Sequence, residues 1–144
     1  MASRIKSSFF FPEKPELVER RVLETVYSVD YQNYVLYSSF NHRMVGTIKR
    51  LDPGSKTGVL YNAYRDYGRL PSKLAGRVGA EVFVCAKHEL TPRLLDDARQ
   101  TALAVYVYTL NSTAVVGKML EMGVDGILSD VADDIVKSVR KSAP

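Results

Sequence analysis

Cysteine occurs once in the 144 residues, histidine twice and tryptophan not at all. A single cysteine forms no internal disulfide, which excludes a disulfide-stapled scaffold. It excludes a cysteine-built zinc site as well. No apolar run approaches the ~18 residues that a membrane span needs. The start, MASRIKSSFFFPEKP, offers only a short run of phenylalanine, too little for a secretory signal core. These absences predict a soluble chain in a reducing compartment, the cytoplasm. With 46% hydrophobic and 25% charged residues the composition is that of an ordinary globular protein. The length predicts a single domain over residues 1–144.

Charge is uneven. Residues 43–77 carry Arg43, Lys49, Arg50, Lys56, Arg65, Arg69, Lys73 and Arg77 against Asp52 and Asp66, a local balance of +6 within a chain of +4. Such a stretch suits an anionic partner such as a phosphate ester, and it equally describes a solvated face of helices and loops. The basic residues lack the interleaved aromatic ladder of a single-strand binder, so no nucleic acid partner is expected.

Apolar runs of strand length alternate with stretches of helical spacing. A strand stub at Arg4–Lys6 is followed by helical spacing from Leu17 to Val29. A strand over Tyr34–Ser38 precedes a helix from about Asn41 to Leu51. The turn signal Asp52-Pro53-Gly54 leads into a strand at Thr57–Tyr61. A short helix around Pro71–Arg77 then precedes a strand at Glu81–Cys85. Thr91 before Pro92 marks a helix start, with Leu94, Leu95 and Ala98 on its apolar face. The near-continuous apolar run 102–110 predicts a strand buried on both faces. Ser112 is expected to cap a helix over Thr113–Met122 that Gly123 stops. A last strand, Val124–Leu128, leads to a helix capped by Asp130, with Ile135, Val136 and Val139 on one face.

About six strand–helix units of this kind predict an α/β fold with a parallel sheet and helices outside. A doubly wound open sheet and part of a (β/α)8 barrel both fit. Six units in 144 residues are too few to close an eight-stranded barrel, which typically takes ~250 residues.

Six strings carry a resemblance: RIKSSFFFPEKPELVERRV with Lys6 (4–22), VLYSSFNHRM (35–44), TGVLYNA (57–63), HELTPRLLDDAR (88–99), VYVYTLN (105–111) and GVDGILSD (123–130). In this order and spacing the chain resembles the C-terminal part of the glycerophosphodiester phosphodiesterase family. The resemblance implies an incomplete (β/α)8 TIM barrel that supplies strands three to eight. It implies metal-assisted hydrolysis of a phosphodiester in glycerophospholipid metabolism, and a glycerophosphodiester or other phosphorylated small molecule as ligand.

The family's chemistry rests on a His-Arg-Gly string, a Glu-x-Asp metal pair and a His-Asp dipeptide, with Ca²⁺ or Mg²⁺ as the divalent cation. None of these strings occurs here. The third metal carboxylate, two residues before the matching lysine, is replaced by Arg4, and a guanidinium repels a hard cation. No metal ligand and no confident catalytic residue is therefore expected in this chain. The expectation is a truncated family member, inactive in isolation. A non-catalytic protein that binds phosphate ligands or self-associates is the alternative.

Lys6 is the one charged active-site position that the resemblance carries over, a compact positive charge for substrate phosphate. Residues at the C-terminal ends of barrel strands face the active-site mouth, which nominates Ser39, Tyr61, His88 and Tyr108 as pocket wall and adds Asp130. Each also has a plain structural reading. Ser39 and Tyr108 can pack at strand ends, His88 can be a solvated loop residue, Asp130 a helix cap, and Asn111 can serve the following helix start. Cys85 reads as a small buried hydrophobe. Six barrel strands would leave two edges with unpaired backbone groups, which predicts a homodimer or larger assembly.

Overall fold

The strands form where β-branched and aromatic residues run together, and helices fill the intervals between them. The structure is a computed structural model and describes residues 2–4 and 16–142. In chain order the elements are β1 (Ala2–Arg4), α1 (Leu17–Ser28), β2 (Leu36–Ser39), α2 (His42–Leu51), β3 (Lys56–Leu60) and α3 (Pro71–Gly76). They continue with β4 (Val82–Ala86), α4 (Pro92–Gln100), β5 (Ala104–Tyr108), α5 (Thr113–Glu121), β6 (Gly126–Ile127) and α6 (Ala132–Ser142). A 3₁₀ turn at Gln32–Tyr34 precedes β2.

All five strand pairings are parallel, and the six strands lie side by side in sequence order from β1 to β6. A doubly wound sheet reverses its strand order at a switch point. No reversal occurs here, so the winding is that of a barrel wall. Among the described residues β1 and β6 each have one neighbour.

The register sorts side chains onto two faces. Ser39, Val59, Phe83 and Val105 stand level across four strands. With Tyr37, Thr57, Cys85 and Val107 they make up the helix side, where Val59, Phe83, Cys85, Val105 and Val107 join Leu74, Leu94, Leu95 and Ala98 in one core. The inner face holds Leu36, Leu60, Val82 and Val84, with Phe40, Tyr106, Tyr108 and Leu128 packed against them.

Local signals set several helix ends. Thr91 accepts the Leu94 N–H at 3.3 Å with Pro92 in the first turn of α4. Asn41 does the same for the Arg43 N–H of α2 at 3.2 Å. Gly123 closes α5 in the left-handed region at φ +88°, with the Val124 N–H returning to the Met119 carbonyl.

Three expectations are corrected. Ser112 stands at the cap position of α5 but makes no side-chain cap bond. Asp130 does not cap α6: the Ser129 hydroxyl accepts the Val131 N–H at 3.1 Å, and the Asp130 carboxylate takes the Asn111 amide instead. The 102–110 run is not buried on both sides. Val105 and Val107 are enclosed by helices, whereas Ala104, Tyr106 and Tyr108 alternate with them half-buried. The β1 strand lies two residues before the expected stub, and Ile5 and Lys6 fall outside the described residues.

Two acids pin strand starts to their neighbours. Glu81, just before β4, accepts the Thr57 N–H at 3.0 Å and the Thr57 hydroxyl at 3.1 Å, and it pairs with Lys49. Asp125, just before β6, accepts the Val105 N–H at 2.9 Å. Partial burial pushes the Glu81 carboxyl up, but the Lys49 ammonium and the Thr57 donors outweigh it and hold it below the ordinary 4.5. At the last strand Tyr106 lies against Gly126, where a Cβ would sit 2.6 Å from the ring carbons.

Glu81→Ala leaves the fully buried Thr57 N–H without its acceptor and should cost about 1 kcal/mol at neutral pH, a figure kept low because the carboxylate is half exposed. Because the folded carboxyl is the stronger acid, this stability is present above pH 4.5 and is lost as the pH falls through the lower folded value. Urea unfolding across a pH series should therefore show the gap between wild type and variant narrowing on acidification, and a constant gap would contradict this. Gly126→Ala forces Tyr106 off its seat and should destabilise by about 1–3 kcal/mol in thermal melts.

Candidate active-site mouth

Parallel strands bring all their C-terminal ends to one rim, where a barrel enzyme builds its site. The loops at this rim are stitched together by polar side chains. Nε2 of His42 donates to the Leu60 carbonyl oxygen at 2.8 Å, tying the start of α2 to the end of β3. Glu89 reaches two strand ends at once, accepting the Ala63 N–H at 2.9 Å and the Ala86 N–H at 3.1 Å. Asp66, buried, accepts the Asn62 N–H at 3.1 Å and pairs with Arg65 at 3.2 Å. Asn111 accepts from the Ser129 hydroxyl at 3.0 Å and from the Asp130 N–H at 3.1 Å, and it donates to the Asp130 carboxylate at 3.2 Å. Asn111 therefore joins the β5 and β6 ends rather than serving the start of α5.

The four nominated wall residues do not converge. Ser39 faces the helix side, 0% exposed, and its hydroxyl accepts the Asn41 N–H at 3.0 Å. Tyr61 also turns to the helix side, its ring centroid 5.4 Å from that of Phe83. Tyr108 lies on the inner face with Leu36, Leu60 and Val84. Adjacent strand residues point to opposite faces, and that alternation separates them. Tyr61 and His88 do come together, bordering one cavity between the loops after β3 and β4. Lys6 lies outside the described residues.

A divalent cation needs several oxygen ligands with lone pairs to spare. At this rim Glu89 is turned to the Ala63 and Ala86 N–H groups, Asp66 to Asn62 and Arg65, and Asp130 to Asn111, so the three carboxylates serve separate partners. Among the described residues no three His, Cys, Asp or Glu side chains gather as a metal site. The cation that the family's chemistry implies does not fit the described residues of this chain.

Cys85 is fully buried in the helix-side core, and burial, with Glu89 nearby, pushes its thiol up to about 12. It stays protonated and unreactive at neutral pH. Burial, then the charges of Asp66 and Glu89, raises the Tyr61 phenol above its ordinary value, so it remains a proton donor.

On the inner face a cleft of about 530 Å³ runs between the starts of β2 and β3 and the end of β6. Across it Lys56 Nζ donates to the Tyr106 hydroxyl at 3.1 Å, and its ammonium lies 5.4 Å from the ring centroid. No described helix is long and apolar enough to cross a membrane.

This winding recurs in solved structures. A glycerophosphodiester phosphodiesterase from Parabacteroides distasonis superposes with a TM-score of 0.79 at 22% identity, covering 99% of this chain and 58% of that one. An Oleispira antarctica phosphodiesterase, solved in complex with the product sn-glycerol-3-phosphate, gives 0.70 at 18% identity over 88% of this chain and 52% of that one. A glycerophosphodiester phosphodiesterase of Caldanaerobacter subterraneus subsp. tengcongensis is 25% identical over 125 residues, which are 86% of this chain and 50% of that protein. The chain thus spans about half the length of the relatives it matches. The model of the glycerophosphoryl diester phosphodiesterase family matches residues 6–134, from Lys6 into α6. Over that stretch the strand-end strings and the sequence-ordered sheet agree with the match, and the chain belongs to the glycerophosphoryl diester phosphodiesterase family.

Proposed function

We propose that this chain supplies strands three to eight of a (β/α)8 barrel that hydrolyses glycerophosphodiesters to glycerol 3-phosphate and an alcohol. One observation carries the reading: six parallel strands stand in sequence order, in a chain whose family match spans most of its length. An eight-stranded wall leaves room for two more strands between β6 and β1. Lys6 is the residue assigned to the substrate phosphate, as a point charge on its oxygens. The product held by the Oleispira antarctica phosphodiesterase supports a phosphorylated small molecule as the ligand here.

By themselves the 144 residues are proposed to be catalytically silent. The sequence contains neither His-Arg-Gly nor Glu-x-Asp, and Arg4 occupies the position of a metal carboxylate. The carboxylates at the rim are engaged in holding loops. Catalysis then requires a polypeptide that contributes two further βα units with those strings.

Glycerophosphocholine with added Ca²⁺ or Mg²⁺ tests this directly. The chain alone should release no glycerol 3-phosphate above a Lys6→Ala control. Mixing it with a separately produced polypeptide of two βα units bearing His-Arg-Gly and Glu-x-Asp should give cation-dependent release. Turnover by the 144 residues alone, above the Lys6→Ala control, would overturn the silent reading.

Self-association is favoured by a separate observation: among the described residues β1 and β6 each have one neighbour, and the half-buried Tyr106 and Tyr108 lie on β5 next to β6. In light scattering the isolated chain should run as a dimer or larger, and a monodisperse monomer would contradict this. In the non-catalytic alternative glycerol 3-phosphate is bound without turnover, and it should raise the unfolding midpoint in proportion to occupancy.

A further inference from the structure

On the helix side of the sheet the cavity shared by Tyr61 and His88 measures about 370 Å³, within the range of small-molecule sites. Tyr61 is 5% exposed and borders it, yet its hydroxyl makes no hydrogen bond to any described residue. The hydroxyl oxygen is not among the buried polar atoms that lack a partner, so water reaches it and it is free to donate to a ligand that enters the cavity.

The charge on the wall points the same way. Arg69 and Arg93 both border the cavity, and neither is paired with a carboxylate among the described residues. Within the basic 43–77 stretch Lys49 pairs with Glu81, Arg50 with Glu16 and Arg65 with Asp66. The one acid on the wall, Glu89, has both oxygens occupied by the Ala63 and Ala86 N–H groups. Two guanidiniums without a carboxylate partner therefore share the wall with a single carboxylate, a local excess of positive charge. The positive end of α4, nine residues long, opens at the same wall beyond Thr91.

Beside His88 and Thr91, part of the wall is apolar, from Leu70, Leu94 and the ring of Tyr67. A naked inorganic anion would leave that part unfilled. We propose that this cavity binds a phosphate monoester carrying a small apolar group. Arg69 and Arg93 hold the phosphate, the Tyr61 hydroxyl donates to one of its oxygens, and the apolar group rests against Leu70, Leu94 and Tyr67. Guanidinium pairs of this kind suit the geometry of a phosphate dianion. The site lies on the face of the sheet opposite Tyr108, so it does not depend on the hydrolytic reading of the mouth.

The test is a titration of the 144-residue chain with phenyl phosphate, inorganic phosphate and benzoate, followed by calorimetry and by the ³¹P line width. Phenyl phosphate should bind most tightly, and added salt should weaken it. Arg69→Ala and Arg93→Ala should each weaken it at least about tenfold. Tyr61→Phe should weaken it several-fold while the unfolding midpoint holds, which separates recognition from folding. Affinity unchanged in the Arg69→Ala/Arg93→Ala double variant would overturn the assignment, as would absence of binding. Benzoate binding as tightly as phenyl phosphate would overturn the ligand class. Binding lost in Lys6→Ala but kept in the double variant would move the ester to the mouth and overturn the site, whatever the outcome of the turnover assay.

Discussion

In a parallel sheet wound in chain order, each residue's face is fixed by its neighbour's, so one register governs the whole wall. Here that register runs level through Ser39, Val59, Phe83 and Val105, and a slip of one residue at any strand would send its apolar side chains to the opposite face. Backbone pairing alone does not specify the level at which parallel strands meet. Glu81 and Asp125 add that information by gripping the N–H groups of Thr57 and Val105 one strand back. The helix-side core, the inner-face cluster and the rim all inherit their positions from this alignment.

The rim shows how polar residues near a site can be wholly occupied with architecture. Glu89, Asn111 and His42 each tie two loops or a loop and a strand end together, while Asp66 closes its own loop on Asn62 and Arg65. Long loops cannot bury unpaired backbone groups, so side chains meet that demand first. One cavity at this rim keeps two guanidiniums without a carboxylate partner, Arg69 and Arg93, with Tyr61 on the same wall. The distribution of leftover donors, more than the count of charged residues, decides which face of this wall can hold an anion.

Much of the fold was readable from local chemistry. Thr91-Pro92 and Gly123 mark helix ends because their preferences act within a few residues. The faces of the strands were harder. Ser38 and Ser39 are both buried, as are four consecutive residues of β3 and of β4, so the apolar pattern shows no alternation from which to read the phase. That is why Ser39, Tyr61 and Tyr108 could be nominated as one wall although they point to different sides. Asp130 looked like a cap because its sequence position allows it, while its partner Asn111 lies 19 residues away and leaves no local trace. The bond from His42 to Leu60 is hidden for the same reason. Polar contacts between successive βα loops are a property of the sheet's winding, and they become visible only once neighbouring strands are known.

The position of Cys85 gives the molecule a built-in clock. Its sulphur sits in the middle of β4 against the helix layer, fully enclosed. A thiol-modifying reagent can meet it only after the helices part from the sheet, so the rate of labelling measures how often the interior opens. While the chain stays folded, copies cannot be joined to one another through this sulphur.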